Sequence, residues 1–553
     1  MVESLVHEVG RMVVSFKWIP LLALLWTGAP AAERTEVPLR GVVSTSLGPA
    51  VGARVTAIDP DSAVRISGFT DGQGRYELGL TNTGRYRLEA RNGSESAHRL
   101  DVEVSAGATA DLMLTPDPEV LTAVPSDRWL ALLPEGEMKR EFILNCTSCH
   151  EIDAQRVLID GHARTRGQWA SAFAAMRAID QYALLPQDFD DAAYGDWLAQ
   201  YWTDDSVRAL EPRGPAQAAA LAGIRITEYP LPIDGELPHD LVVGPDGRIW
   251  ITAFFNDVIW ALDSASGEFQ TFALRGAGGA EGWGQARALV FDARGRLWVL
   301  LGGTHELVML DPASGATETH AIGMYAHSLA LDSQGRVWFN DYFARAERIG
   351  VFDPETGTVE HLPLPSAGLS EAAGLPLPYG LQIDRAGRLY STQLAANTVA
   401  LYETRSGESQ LIPMPHDNVG PRRPAVDAGD RLWIPEWNTG YLSRFDPESG
   451  TFERFQLGSS ALGGYDAEVD PLTGEVWVTG ALAASMVVFD PESRRSLEIP
   501  LPTNPAYTRH LAVDPRNGDL WSAYSSLPAA KPRVVRIERA ARQALSASRA
   551  AAP

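Results

Sequence analysis

Cys146-Thr147-Ser148-Cys149-His150 contains both cysteines of the chain. C-x-x-C-H is the pattern of covalent c-type haem attachment. Two thiols three positions apart on a helical turn can each add to a vinyl group of one haem. The next residue then offers an imidazole to the iron. A zinc site would need further Cys or His ligands at matching spacing, and there is no second C-x-x-C. A thioredoxin-like pair would need a βαβ context, which the surrounding sequence lacks. The pentapeptide therefore predicts one haem c on Cys146 and Cys149, with His150 as an axial ligand.

A second set of polar residues recurs along residues 224–540. The unit x-x-x-L-x-h-D-x-x-G-x-h-W occurs seven times, with its aromatic at Trp250, Trp298, Trp338, Tyr390, Trp433, Trp477 and Trp521. The residues opening the innermost strands are His239, Arg287, His327, Tyr379, Arg422, Tyr465 and Arg509. All seven can form hydrogen bonds, and all should converge at one mouth of a central channel. Three residues after each aromatic, Asp341, Gln393, Glu436 and Tyr524 supply further polar groups, expected on the inner rim. Three guanidinium forks suit a small anionic ligand such as a carboxylate. His327, Asp341 and Glu436 offer an alternative, a divalent cation site.

These residues need elements to hold them. Repeats of 40 to 50 residues with several strands each indicate a β-propeller, here over 224–540. The closing strand appears at Thr227 to Pro232, ahead of the first full unit, while the last unit lacks its own copy. The N-terminal strand should therefore complete the seventh blade and hide its edge. Residues 36–115 alternate apolar and polar positions between turn residues, the pattern of a β-sandwich. Residues 130–205 read as helical, with Trp169, Phe173 and Met176 on one face. Residues 206–223 read as a linker and 541–553 as a disordered tail. The fold class is thus multidomain and mainly β: a sandwich, a small helical haem domain, and a seven-bladed propeller closed by its N-terminal strand.

Export is expected from residues 1–32. Arg11 and Lys17 precede the apolar run Trp18 to Trp26, and Ala29-Pro30-Ala31 forms an A-x-A cleavage site. The segment before Met12 reads as an over-extended start. No stretch reaches the roughly 18 apolar residues of a membrane span, so the mature chain is expected in the periplasm or secreted. The net charge of −23 argues against nucleic acid as a partner and suits a basic redox partner protein.

Three resemblances sharpen these expectations. Gly41-Val42-Val43, Gly52 to Val55, Thr70 to Tyr76 and Gly84-Arg85-Tyr86 resemble the carboxypeptidase regulatory-like domain, which implies a transthyretin-like sandwich. The helix before the pentapeptide, a Met-bearing segment and a terminal aromatic-rich helix resemble a class I cytochrome c domain. That resemblance implies His/Met ligation, with Met176 as sixth ligand and His162 as its competitor. Pro238-His239-Asp240-Leu241, Pro245 to Trp250, Ala326 to Leu329 and Pro435-Glu436-Trp437-Asn438 resemble the virginiamycin B lyase family. This implies opening of a cyclic ester by His and Glu near a divalent ion. Glu436 matches the family's Glu, whereas Arg422 and Tyr379 stand where a His is expected.

The main expectation is an exported c-type haem protein that transfers electrons, coupled to a propeller that binds a small polar or anionic ligand or a partner. The alternatives are a lyase-like carbon–oxygen lyase with an accessory haem domain, and a haem-based sensor or binding module.

Overall fold

A computed structural model of the protein describes residues 36–538, apart from 149, 180–184, 213, 215–216, 276–282, 372 and 526–531. The expected leader, the tail over 541–553 and Cys149 lie outside the described residues.

The alternation in the first segment builds two small sheets. Val37–Thr45 pairs antiparallel with Arg75–Leu80, and Arg54–Ile58 lies between Arg65–Phe69 and Gly84–Asn92. Along Arg75–Leu80, Tyr76, Leu78 and Leu80 point inward while Arg75 and Glu77 face solvent, the half-buried pattern of period two. Leu39, Val43, Val55, Leu88 and Leu112 complete this core.

From residue 238 onward the chain forms six four-stranded antiparallel sheets in succession, each made of strands consecutive in sequence. A further set, Thr508–Val513, Leu520–Tyr524 and Arg533–Ile537, takes Ile226–Pro230 as its outer partner. Inner strands pack side by side around a ring, and Thr508–Val513 reaches back to Pro238–Val243. The ring is made by packing between sheets rather than by one closed sheet.

Two expectations about domain borders change. Ile226–Pro230 also pairs with Arg65–Phe69 of the sandwich. The sandwich and the last propeller sheet therefore share one nine-stranded sheet. The stretch read as a linker is also not free: Leu221 is fully buried with Phe69, Ile224 and Ile226.

The intervening segment is helical, as its periodicity suggests, with Glu137–Cys146, Arg166–Ile179 and Asp191–Tyr201 as its longer helices. Phe142 packs edge-on against Trp197 and Trp202 at 6.0 and 5.9 Å. The expectation of a self-contained cytochrome c-like domain over 130–205 is not supported. Its core is continuous with Tyr325, Tyr379, Trp437, Tyr465 and Tyr507 of the propeller, so these helices form a layer over the ring. Met176 departs from the stripe expected of it. Trp169 and Phe173 are buried, but Met176 is 41% exposed. Arg177 turns inward instead, bonding Asp191 and the Phe189 carbonyl. His162 is also exposed and pairs with Asp204 at 2.9 Å. Among the described residues no helix is long and apolar enough to cross a membrane.

Candidate active site at the capped mouth of the ring

Each inner strand carries its polar residue at a repeated irregularity. In six sheets the register between the inner strand and its neighbour shifts between the first and fourth residues. Such bulges redirect side chains and increase local twist. Their backbone groups are met by side chains from the second strand. Thr252 Oγ1 accepts from Asp240 N and donates to the Arg287 carbonyl of the next sheet. Thr392 does the same between Gly380 N and Arg422 O. Asn340 accepts from Ser328 N and donates to the Tyr379 carbonyl. The bonds that stabilise the bulges thus also fix the spacing of neighbouring inner strands.

The seven opening residues are brought together. The His239 and His327 rings lie 5.3 Å apart, and His327 lies 4.2 Å from Tyr379. Tyr379 donates to the Tyr465 hydroxyl. Arg422 is fully buried; it donates to Tyr379 at 3.2 Å and stacks on Trp437 at 3.7 Å. Arg287 Nη1 lies 3.4 Å from His239 Nε2. Arg509 stacks on Tyr507, whose ring is 6.1 Å from Tyr465.

The second expected set does not join them. Asp341 is bound by Arg348, and Glu436 by Arg454 and Ser443. Gln393 accepts from Thr398, and Tyr524 donates to Glu228 of the outer strand. Each is used within its own sheet instead of facing the channel. The divalent-cation set His327, Asp341 and Glu436 is therefore split. Among the described residues no group of three or more His, Cys, Asp or Glu is placed to hold a metal ion.

A deeper layer was not singled out from the sequence. Asp240 accepts from Arg423 across the channel at 2.7 Å, and also bonds His239 Nδ1 at 2.7 Å. Asp466 accepts from Leu511 N and lies 3.8 Å from His510 Nε2. The available signal was adjacency, since each of these residues directly follows an opening residue. Strict strand alternation would send it to the opposite face, but the bulge brings it to the same side.

Burial sets the charge states. Burial pushes His239 down to about 3, despite its bond to Asp240. His327 is also pushed well below its usual range, first by burial and then by Arg423 and Arg287. Both imidazoles are neutral at pH 7. Burial opposes the charge on Asp240, but Arg423, His510 and His239 outweigh it and hold the carboxyl below its ordinary range. Asp466 lacks so strong a counterweight, and burial raises it to about 6.

The helical layer seats Thr147 and Ser148 on this mouth. Arg422 Nη2 donates to Ser148 Oγ at 3.0 Å. Tyr507 donates to the Thr147 and Ser148 carbonyls, each at 2.9 Å. Trp437 Nε1 donates to the Ile143 carbonyl at 3.3 Å. Propeller donors thus meet the carbonyls of Thr147 and Ser148 just beyond helix Glu137–Cys146 and share the Ile143 carbonyl with Thr147 N.

This bulged, His- and Arg-bearing ring has known relatives. The model of the virginiamycin B lyase family matches residues 224–530. The chain belongs to that family. The model of the carboxypeptidase regulatory-like domain matches residues 38–116, and the two matches leave 117–223 uncovered. A solved streptogramin B lyase structure aligns with TM-score 0.50 at 18% identity, over 57% of this chain and 97% of that one. Virginiamycin B lyase from Staphylococcus aureus aligns with TM-score 0.49 at 16% identity, over 57% and 99%. At 18% identity the likeness to the streptogramin B lyase structure shows the fold alone. No curated protein matches the sequence.

The electron-transfer reading is corrected by these findings. More than half of the chain belongs to a lyase family. The described residues hold no metal-binding group of three or more such side chains. The helices expected to form an independent haem carrier instead share their core with the propeller.

Proposed function

We propose that the protein is a carbon–oxygen lyase of the virginiamycin B lyase type, working at the capped mouth of a seven-bladed propeller. The observation that carries this reading is the array Asp240–His239–Arg287. Asp240 accepts the Nδ1 proton of a neutral His239, which leaves the Nε2 lone pair as the acceptor of the ring. Arg287 stands beside that nitrogen.

In this reading His239 Nε2 takes a proton from the carbon next to a substrate carbonyl. The C–H electron pair becomes the new double bond, and the adjacent C–O bond breaks, its oxygen leaving with the bonding pair. Arg287 stabilises the negative charge that develops on the carbonyl oxygen. His239 is a weak base in the empty site because burial disfavours its cation. The enolate forming next to it reverses that preference during reaction. Asp240 keeps the ring in one tautomer, and Arg423 keeps Asp240 ionised. Asp341 and Glu436 are committed to arginines, so no step passes through a cation held by them.

The accessory haem belongs to the same proposal. Cys146 ends its helix, and His150 Nδ1 lies 2.9 Å from the Glu151 carbonyl, which leaves Nε2 for an iron. A haem on Cys146 and Cys149 would anchor the pentapeptide above the mouth. Export to the periplasm follows from the expected leader.

The test incubates the full-length protein with a panel of cyclic and linear esters and analyses products by mass spectrometry. Elimination from a cyclic ester gives a ring-opened isomer of unchanged mass, and His239→Ala should abolish it. Products carrying added water, or turnover surviving in His239→Ala, would overturn the reading, as would no turnover across the panel.

A further inference from the structure

The mouth holds more buried positive charge than its carboxylates balance. Arg422, Arg423 and Arg509 are 0%, 5% and 5% exposed. Arg423 pairs with Asp240. Arg422 meets only hydroxyls and aromatic faces among the described residues. Arg422 Nε, Arg423 Nε and Nη2, and Arg509 Nη1 are buried with no hydrogen-bond partner among the described residues. A guanidinium cannot shed its proton to relieve this, and a buried charge is costly unless paired. These groups are contiguous. Tyr465 touches Arg422 at 4.3 Å and Arg423 at 5.9 Å, and its neighbour Tyr507 touches Arg509.

We propose that Arg422, Arg423 and Arg509 form a binding site for the carboxylate of a small organic acid. The orphaned N–H groups supply the forked donors that fit a planar carboxylate. Tyr465, Tyr507 and Trp437 are buried and stacked on these guanidiniums, so the surroundings are apolar, where a singly charged carboxylate costs less to desolvate than a doubly charged inorganic oxyanion. At this site the cap residue Ser148 accepts a hydrogen bond from Arg422. It is read by binding alone, so it stands or falls separately from the elimination.

The experiment titrates the full-length protein by calorimetry with acetate, succinate and benzoate at constant ionic strength. Benzamide serves as the neutral isostere of benzoate, and sulfate as the inorganic oxyanion. At least one carboxylate should bind saturably, benzamide should not, and sulfate should bind more weakly. Arg509→Gln and Arg422→Gln should each weaken carboxylate binding about tenfold or more. In carboxylate-free buffer each should unfold at or above the wild-type temperature, since a costly buried charge is gone. No saturable binding by any of the three acids would overturn the proposal. So would equal binding of benzamide or sulfate, or variants destabilised to the same extent with and without acid, which would mark the arginines as structural. The wild-type comparison of benzoate with benzamide decides the matter even if a variant does not fold.

Discussion

His239 and Asp466 are both buried at the channel, yet they respond to acid in opposite senses. The folded state holds His239 neutral down to about pH 3, while an ordinary imidazole takes up its proton near 6.5. The unfolded chain therefore binds more protons between these values, and stability is lost as pH falls below 6.5. His327 acts in the same direction. Asp466 is raised from 3.8 to about 6, so its contribution is fully present below about pH 4 and is lost as pH rises through 6. Denaturant titrations at several pH values should separate the two. His239→Gln should flatten the loss below pH 6.5. Asp466→Asn should gain on the wild type by on the order of 2–3 kcal/mol between pH 4 and 7. Equal pH profiles for wild type and Asp466→Asn would show that this carboxyl is not held neutral. The seven opening residues were legible in the sequence because the repeat places them at one register position. Asp240 and Arg423 were not, because a bulge reverses the alternation on which such a reading depends. Asp341 and Glu436 misled because a polar residue at a strand end serves its own hairpin as readily as a channel.

The repeated turn shows why the sheets could be read from sequence. In D-x-x-G-x-h-W the Asp carboxylate receives both the Trp Nε1–H and an Arg of the same turn. Trp338 and Arg336 reach Asp332 at 2.9 and 2.7 Å, and the guanidinium lies 5.3 Å from the Trp ring. The same set recurs at Asp292, Asp427 and, with Tyr390 replacing Trp, at Asp384. Gly335 closes the turn at φ +78°, where a side chain would be strained. Four residues thus fix hairpin, register and indole orientation, a requirement strict enough to leave a sequence repeat. Asp332→Ala should cost about 1–3 kcal/mol by orphaning a buried indole N–H, measured as a lower denaturation midpoint at unchanged m-value. The seventh unit gives an internal control. Trp521 Nε1 has no partner among the described residues, so Asp514→Ala should cost less than Asp332→Ala. The helical layer has no comparable repeat. Its periodicity gave helices but not their faces, because Met176 and Arg177 are neighbours on one helix and only packing against 186–191 decides which turns inward.

At the scale of the whole molecule, Ile226–Pro230 joins parts that the sequence presents as separate. It is the outer strand of the last propeller sheet and also the neighbour of a sandwich strand, so an edge that would otherwise be open is paired on both sides. No local pattern signals this, because an outer strand and a sandwich edge are each complete in their own repeat. Glu228 marks the junction. It is fully buried, receives the Tyr524 hydroxyl and Thr503 N, and faces Arg65 of the sandwich at 3.2 Å. Removing one member of such a pair leaves an uncompensated buried group, which typically costs about 3–5 kcal/mol. Glu228→Ala should therefore lose stability on that scale, and Arg65→Met, whose side chain is partly exposed, somewhat less. Replacing both, as Glu228→Leu with Arg65→Met, removes the desolvated charges together and should recover much of the loss. If the pair couples sandwich to ring, Glu228→Ala should also speed proteolytic cleavage within the connecting residues 117–223, while the double variant restores protection. Costs that simply add in the double variant, with cleavage unchanged throughout, would show that the shared backbone ladder alone holds the two parts together.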